Sequence, residues 1–349
     1  MINKQKKILV VGLFLSEKNK NKILRTAADQ LAELLSKNSY RLITVSNITN
    51  SFGRFVDTIT TVITTSSQYK IAILPLYGGF KSYIWQSVTT GILKLLRKKV
   101  ILIVHGGSIP ARMKSDPSKY LRSFKKADVV IGPSAFITST LKQYNIQSEL
   151  VENVVNLDEY IFHKKETFRP RLLWMRTLED IYNPEMAIRV AAILSRKYVD
   201  LQLVMAGYDK GSMTMVKQLA TDLNVYDKIE FPGYINNDQK NKYANDLDIY
   251  ICTNRIDNAP VSFIEMMAMG LPVVSVNTGG IPYLLQEKVN GLMVDLDDDD
   301  AMANKISSII EQPELGKRLA MNGQQFAQQF GEKPVLAKWQ NIFERLSHN

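Results

Sequence analysis

The sequence predicts an α/β protein made of two doubly wound parallel-sheet domains in tandem. Short apolar runs rich in Val and Ile alternate with longer amphipathic stretches, the pattern of parallel strands buried by helices on both faces. The alternation lapses once, in a charged segment from His163 to Pro170, and then resumes. The length of 349 residues, at roughly 150 residues per domain, is enough for two separate cores.

In chain order, the first apolar run, Ile8 to Phe14, reads as a buried strand. Arg41 to Val45, Ile71 to Leu74, Val100 to Val104, Val129 to Ile131 and Glu149 to Val151 continue the series. Helices at Lys22 to Leu35, Ser82 to Arg97 and Ala135 to Tyr144 separate some of these strands. A second series begins at Leu172 to Met175. It runs through Gln202 to Ala206, Ile229 to Phe231, Ile249 to Thr253, Val273 to Val276 and Leu292 to Val294, with helices between. The expected domains are therefore residues 1–165 and 166–330, followed by a C-terminal helix over 331–349. Open α/β sheets bind ligands at the carboxyl ends of their strands, so the loops His105 to Arg112, Gly207 to Gly211 and Asn254 to Pro260 are where chemistry is expected.

Composition narrows the field. Hydrophobic residues at 45% and charged residues at 22% are the balance of an ordinary globular protein, and the single cysteine, Cys252, cannot form an internal bridge. A cytoplasmic protein is the expectation. A spanning helix needs about 20 consecutive apolar residues, and the longest run, Ile8 to Leu15, is far shorter. That run follows Lys4, Lys6 and Lys7, but Glu17, Lys18 and Lys20 come next and no small-residue cleavage site is visible, so a strand is expected rather than a signal peptide. There is no Walker-type glycine loop, no G-x-G-x-x-G after the first strand, no zinc-ligand spacing and no G-x-S-x-G elbow. Four adjacent carboxylates, Asp297 to Asp300, precede a helical stretch and are expected to favour its dipole rather than hold a metal.

The net charge of +10 is unevenly divided. Residues 1–165 hold 25 Lys and Arg against 10 Asp and Glu, and residues 166–349 hold 19 against 24, so the two parts carry +15 and −5. The basic part either faces an anionic partner or serves only solubility. Within it, Tyr83 to Lys99 has Trp85 and Leu95 among apolar positions and four cations near its end. It reads either as a core helix with cations at its C-terminal dipole or as a helix lying on an anionic membrane. Nucleic acid is not expected, because no stacking aromatics are interleaved with the charge.

The most informative segment is Asp257-Asn-Ala-Pro-Val-Ser-Phe-Ile-Glu265, followed by Gly270-Leu-Pro-Val-Val and Gly279-Gly280. It reads as loop, helix, turn and strand. With Pro260 in the first helical turn, the amides of Val261 and Ser262 would present a helix N-terminus able to hold a diphosphate. The alternative is an S-x-x-E capping box formed by Ser262 and Glu265.

The block resembles the E-x7-E region of the retaining nucleotide-sugar glycosyltransferases of family four (glycosyl transferases group 1). Asn153 in Val-Glu-Asn-Val-Val-Asn, Arg176 in Leu-Leu-Trp-Met-Arg, Gly233 in Phe-Pro-Gly-Tyr and Trp339 near the C-terminus extend the match. The resemblance implies the GT-B fold, two Rossmann-like domains facing a central cleft, with the C-terminal helix crossing back to the first. It also implies transfer of a hexose-type sugar from a nucleoside diphosphate sugar with retention of configuration; a metal is not needed if Arg176 and helix dipoles neutralise the diphosphate. The +15 charge of the first part leads to the expectation that the acceptor is a lipid-linked or cell-surface glycan precursor at the inner membrane face.

Carried over by residue, Glu265 would bind the ribose hydroxyls and Arg176 would clamp the diphosphate. Amides near Asn258, Val261 and Ser262 would hold phosphate oxygens, and Asp257 would contact the donor sugar. Backbone near Tyr234 would lie by the base. His105, with Gly106 and Gly107, would sit on the acceptor side, as would Gly12. The sequence departs from the family in having Asp257 where glutamate is usual, in lacking the lysine that follows the arginine, and in keeping only Gly12 of a glycine pair. Lys210 is the expected substitute for that lysine, since a diphosphate leaving group needs positive charge. Two alternatives stand beside the transferase: a non-catalytic nucleotide-sugar-binding subunit, and a nucleotide-sugar epimerase on the same fold.

Overall fold

In the computed structural model, which describes residues 7–14, 26–105 and 109–348, the first buried run forms β1 (Lys7–Val11) and is followed by α1 (Ala27–Lys37). Thr26 and Asp29 close a capping box at the start of α1, each side chain accepting from the other residue's amide. The chain continues through β2 (Leu42–Val45), α2 (Ser51–Thr64), β3 (Tyr69–Leu76), α3 (Phe80–Leu95) and β4 (Lys99–Val104). Next come α4 (Ile109–Ser115), α5 (Pro117–Lys126), β5 (Val129–Gly132), α6 (Ala135–Gln143) and β6 (Glu149–Leu150). All pairings are parallel and the strand order is β2-β1-β3-β4-β5-β6. One face of this sheet is covered by α2, α3, α4, α5 and α6, with Val62, Leu93, Met113, Phe124 and Leu141 packed inward.

The second series has the same logic. It runs β7 (Arg171–Met175), α7 (Pro184–Ser195), β8 (Gln202–Ala206), α8 (Met213–Asp222), β9 (Ile229–Gly233) and α9 (Asn237–Asp246). The chain then passes through β10 (Ile249–Cys252), α10 (Val261–Ala268), β11 (Val273–Val276), β12 (Leu292–Val294), α11 (Asp299–Glu311) and α12 (Pro313–Ala327). These strands form a second parallel sheet in the order β12-β11-β10-β7-β8-β9. The last helix, α13 (Glu332–His348), returns to the first sheet. Its Val335, Trp339, Ile342 and Phe343 are buried with Ile8, Leu34, Leu35 and Ile73, and Lys338 pairs with Glu152.

Two compact units result: residues 1–154 with 332–349, and residues 155–331. The division therefore falls eleven residues before the expected 165/166 boundary. Residues 155–165 are bonded into the second unit: the Val155 amide donates to Phe330 (2.9 Å) and the His163 amide to Met269 (3.0 Å). The charged segment is not a solvated linker, because Lys165 and Arg169 both pair with Asp248, whose side chain is 1% exposed.

Two further differences are local. Helix α2 occupies a stretch the sequence left unassigned, since its Thr-, Ile- and Val-rich residues have weak helix propensity. Thr58 and Thr64 direct their hydroxyls to the carbonyls four residues back, at 2.7 and 2.8 Å. Among the four carboxylates, Asp298 caps α11 by accepting from the Ala301 amide (2.9 Å), Asp299 pairs with Arg189, and Asp297 takes Asn183 and Arg255.

Candidate functional site

In the second sheet the chain steps outward from β7 to β8 and β9, then crosses over to β10, β11 and β12. The carboxyl ends of β7 and β10 therefore flank the point where the strand order reverses, where open α/β sheets take their ligands. Arg176 directly follows β7 and Asp257 lies in the loop after β10, and their side chains form an ion pair. The Asn254 amide donates to the same Asp257 oxygen at 2.8 Å. Arg176 also lies over the Tyr182 ring, 5.3 Å from its centroid. Burial opposes the guanidinium charge, but Asp257, with smaller help from Tyr250, Cys252 and Tyr182, outweighs it in sum and raises the Arg176 pKa above its ordinary value, so the group stays cationic.

Glycines permit this close approach. A Cβ on Gly207, after β8, would stand 1.8 Å from the Arg176 carbonyl oxygen, and one on Gly280 would stand 1.7 Å from that of Asn258. The Gly280 amide donates to the Asp257 carbonyl at 2.7 Å, which fixes the loop. Arg176 Nε and Asn254 Oδ1 are buried there with no hydrogen-bond partner among the described residues. Such groups are costly unless a ligand supplies their partners.

Helix α10 opens beside this pair. Pro260 is its N-cap rather than its first residue and offers no side-chain hydrogen bond, so Val261 and Ser262 are the first two helical positions with no capping side chain over their amides. The S-x-x-E capping box does not form. Ser262 Oγ instead accepts from the Tyr250 hydroxyl at 2.9 Å. Glu265, 9% exposed, accepts from Lys240 Nζ on both oxygens (2.9 and 2.8 Å) and from the Tyr160 hydroxyl at 2.7 Å. Burial and the adjacent Glu265 carboxylate push the Tyr160 phenol well above its usual range, so it remains a donor. Tyr234, following β9, stacks on Tyr208 with ring centroids 4.9 Å apart and planes 13° from parallel. Burial, then Tyr208 and Glu265, raise the Tyr234 pKa.

The structure thus brings Arg176, Asp257, Asn258, Val261, Ser262, Glu265 and Tyr234 to the carboxyl ends of the second sheet. It does not bring Lys210 to the Arg176–Asp257 pair: that side chain is 63% exposed and its ammonium lies 3.9 Å from Glu179. Its position in the loop after β8 points it outward, and the residue packed against Arg176 is Tyr182. In the first unit, His105 follows β4, stacks on Tyr77 (5.6 Å between centroids) and lines a cavity of about 20 Å³ with Gln30, Glu152, Asn153 and Trp339. Burial lowers its pKa to about 4, which leaves the imidazole neutral at pH 7. Gly12 is buried under α1, where a Cβ would meet that of Ala28 at 2.4 Å, so close packing alone requires glycine there. Gly106 and Gly107 lie outside the described residues.

Sequence reasoning did not select Lys240, Tyr160 or Tyr182, and it reached Asn254 and Tyr208 only as members of loops where chemistry is expected. Lys240 lies in a helix so polar that a lysine reads as a solvated surface charge, and Tyr160 falls in the stretch assigned to the other domain. Cys252, also in the neighbourhood, is buried with its thiol pushed up to about 11, which excludes it as a nucleophile at neutral pH.

Residues 159–326 match the family model described as glycosyl transferases group 1. The chain is 24% identical over 226 residues to the amylovoran biosynthesis glycosyltransferase AmsK of Erwinia amylovora, covering 60% of this chain and 55% of that one. Matched stretches span 31% to 63% of the length of four other curated relatives. Among solved structures, sucrose-phosphate synthase of Thermosynechococcus elongatus superposes with a TM-score of 0.77 at 16% identity, over 98% of this chain and 99% of that one. HepE of Anabaena, in complex with UDP, gives 0.72 at 17% identity, over 98% and 100%. Both parallel six-stranded sheets follow the GT-B plan of these structures, and the second unit carries the match to the glycosyl transferases group 1 family model.

Proposed function

We infer that the chain is a glycosyltransferase whose second unit binds a nucleoside diphosphate sugar and whose first unit holds a glycan or lipid-linked acceptor. The observation that carries this is the buried Arg176 guanidinium, with an unpartnered Nε, beside the uncapped N-terminus of α10 at the reversal point of the sheet. A diphosphate would complete the hydrogen bonds that the protein leaves open there. Arg176 and the Val261 and Ser262 amides then stabilise the negative charge that grows on the leaving phosphate, a role that requires no metal. Glu265 accepts from ribose hydroxyls. The stacked Tyr208–Tyr234 pair offers an aromatic face for the base.

Asp257, held by Arg176 and Asn254, is aimed at the donor sugar. His105, neutral at pH 7, acts on the acceptor side as a hydrogen-bonding group. Most of the rate enhancement on this reading comes from positioning and leaving-group stabilisation, and the family resemblance supports retention of configuration. HepE is described in complex with UDP and with UDP-glucose, and AmsK is described in amylovoran biosynthesis. By analogy, the product here is a cell-surface polysaccharide precursor made at the inner membrane face.

The test is a thermal-shift screen with UDP, GDP, ADP, dTDP and CMP, without metal and then with magnesium. A nucleotide at 100 times its dissociation constant stabilises by about 2.7 kcal/mol. One nucleoside diphosphate should shift the melt without metal, and Glu265→Ala should abolish the shift. No shift with any nucleotide would sink the donor reading. Incubation with the matching donor sugar alone separates the classes: a transferase hydrolyses it slowly at most, an epimerase interconverts it, and a binding subunit leaves it unchanged.

A further inference from the structure

The first unit carries an apolar surface that its own core does not use. Along α3, the residues packed inward are Gln86, Thr89, Thr90 and Leu93. At 100° per residue, a stripe through Ile84, Val88 and Leu95 lies on the opposite side of that helix. All three are exposed, Leu95 at 84%. Trp85, which the sequence placed among candidate membrane-facing residues, instead packs against the core. Helix α2 lies alongside α3, and there Thr58 and Val62 are buried while Phe52 (79% exposed), Val56 and Ile63 share an exposed side about 120° round the helix from them. Two apolar ridges therefore run along adjacent helices of the first unit. Isolated exposed apolar residues need no explanation, but six on two adjacent helices form a patch.

Charge identifies the occupant. On the other flank of α3, helix α5 is joined to it by the Ser87 and Ser123 hydroxyls at 3.1 Å and by the Tyr83 ring on that of Tyr120. Arg112, Lys114, Arg122, Lys125 and Lys126 on α4 and α5 are exposed, and none makes an ion pair among the described residues. From Lys81 to Lys126 the sequence holds 11 Lys and Arg against one acidic residue, Asp116. A second copy of this face would bring like charges together. An anionic bilayer offers both what the ridges need and what the cations need.

We propose that the outer face of α2 and α3, flanked by the basic α4–α5 edge, is a docking surface for an anionic phospholipid bilayer. Phe52, Val56, Ile63, Ile84, Val88 and Leu95 enter the interface, and the arginines and lysines contact lipid phosphates. No helix among the described residues is long and apolar enough to cross a membrane, so this contact is reversible. The proposal goes beyond the donor reading and does not depend on it.

The experiment is co-sedimentation of the full chain, without nucleotide, with vesicles of phosphatidylcholine alone or mixed with phosphatidylglycerol. Binding is expected to the mixed vesicles at low salt and should fall about tenfold in high salt. The double variant Ile84→Asp, Leu95→Asp should cut it by a similar factor, about tenfold, with an unchanged melting temperature because both side chains are solvent-exposed. Lys125→Glu with Lys126→Glu should weaken binding to the mixed vesicles only. Three results would overturn the proposal: no sedimentation with mixed vesicles, sedimentation unaffected by the aspartate pair, or a dimer in light scattering that the aspartate pair dissolves. None of these outcomes bears on the nucleotide screen, so either reading can fail alone.

Discussion

Arg176 and Asp257 are bound to each other, so any anion that takes Arg176 competes with a carboxylate already in place. Arg176→Ala is therefore expected to abolish the nucleotide-dependent thermal shift and to lower turnover by about 10²- to 10³-fold, the usual effect of losing one donor to a developing anion. Asp257→Asn should leave nucleotide binding intact or tighter while turnover falls, and titration calorimetry beside a donor-turnover assay reads the two separately. Lys240→Met leaves Glu265 with Tyr160 alone. Breaking this largely buried pair should destabilise the second unit by about 3 kcal/mol, read as a lower denaturant midpoint. These residues also mark how far the sequence could be read. Asp257, Ser262 and Glu265 fall within one short stretch whose spacing is visible. Lys240 and Tyr160 reach Glu265 from 25 and 105 positions away, and nothing local announces a pairing made by the fold.

His105 gives a pH signature. Its folded pKa is about 4 against an ordinary 6.5, so between those values the unfolded chain binds the extra proton and the folded chain does not. Its contribution is fully present above pH 6.5 and is lost as pH falls toward 4, up to roughly 3 kcal/mol. Comparing urea unfolding of the native chain and His105→Gln across that window should show a flatter pH slope in the variant. Identical slopes would mean that the imidazole is solvated in the native state.

At the scale of elements, the strands were legible because each parallel strand is buried on both faces and so reads as an unbroken apolar run. Helices were legible in proportion to their propensity. Like α1 and α6, α2 has a capping residue, Asn50, which accepts from the Gly53 amide at 2.7 Å, but it is made of residues that favour strands, with threonine hydroxyls turned back on its own carbonyls. The charged segment from His163 to Pro170 shows the converse: its charges suggest solvent, but Lys165 and Arg169 neutralise a buried aspartate. Helix α9, which presents Lys240, depends on its capping box, with Asn236 accepting from the Gln239 amide at 2.9 Å and Gln239 accepting in return at 3.0 Å. Asn236→Ala should cost about 1 kcal/mol. It should also weaken nucleotide binding if Lys240 sets the Glu265 geometry, a comparison that calorimetry and a thermal melt make together.

For the molecule as a whole, the two units differ in how the chain supplies them. The second is one continuous segment, 155–331, and the first is completed only by α13. Four buried apolar side chains of α13, each worth about 1.5–3 kcal/mol, contribute an amount comparable with the 5–15 kcal/mol that holds a typical domain. Ending the chain after Gly331 is therefore expected to abolish the first unit's thermal transition. Residues 155–331 alone should still melt cooperatively and still respond to nucleotide. A first-unit transition that survives unchanged in the truncated chain would contradict this.

The same discontinuity sets an order of events during synthesis. At 5–20 residues per second, the ribosome needs about 10–40 s to travel from Val154 to the end of the chain. Throughout that interval the first sheet is made but lacks Trp339 and Phe343, and the second unit can fold before the first is closed. The nascent protein therefore spends its longest vulnerable period with the apolar underside of the first sheet open to chaperones and proteases. Helix α13 acts as the seal that ends this exposure.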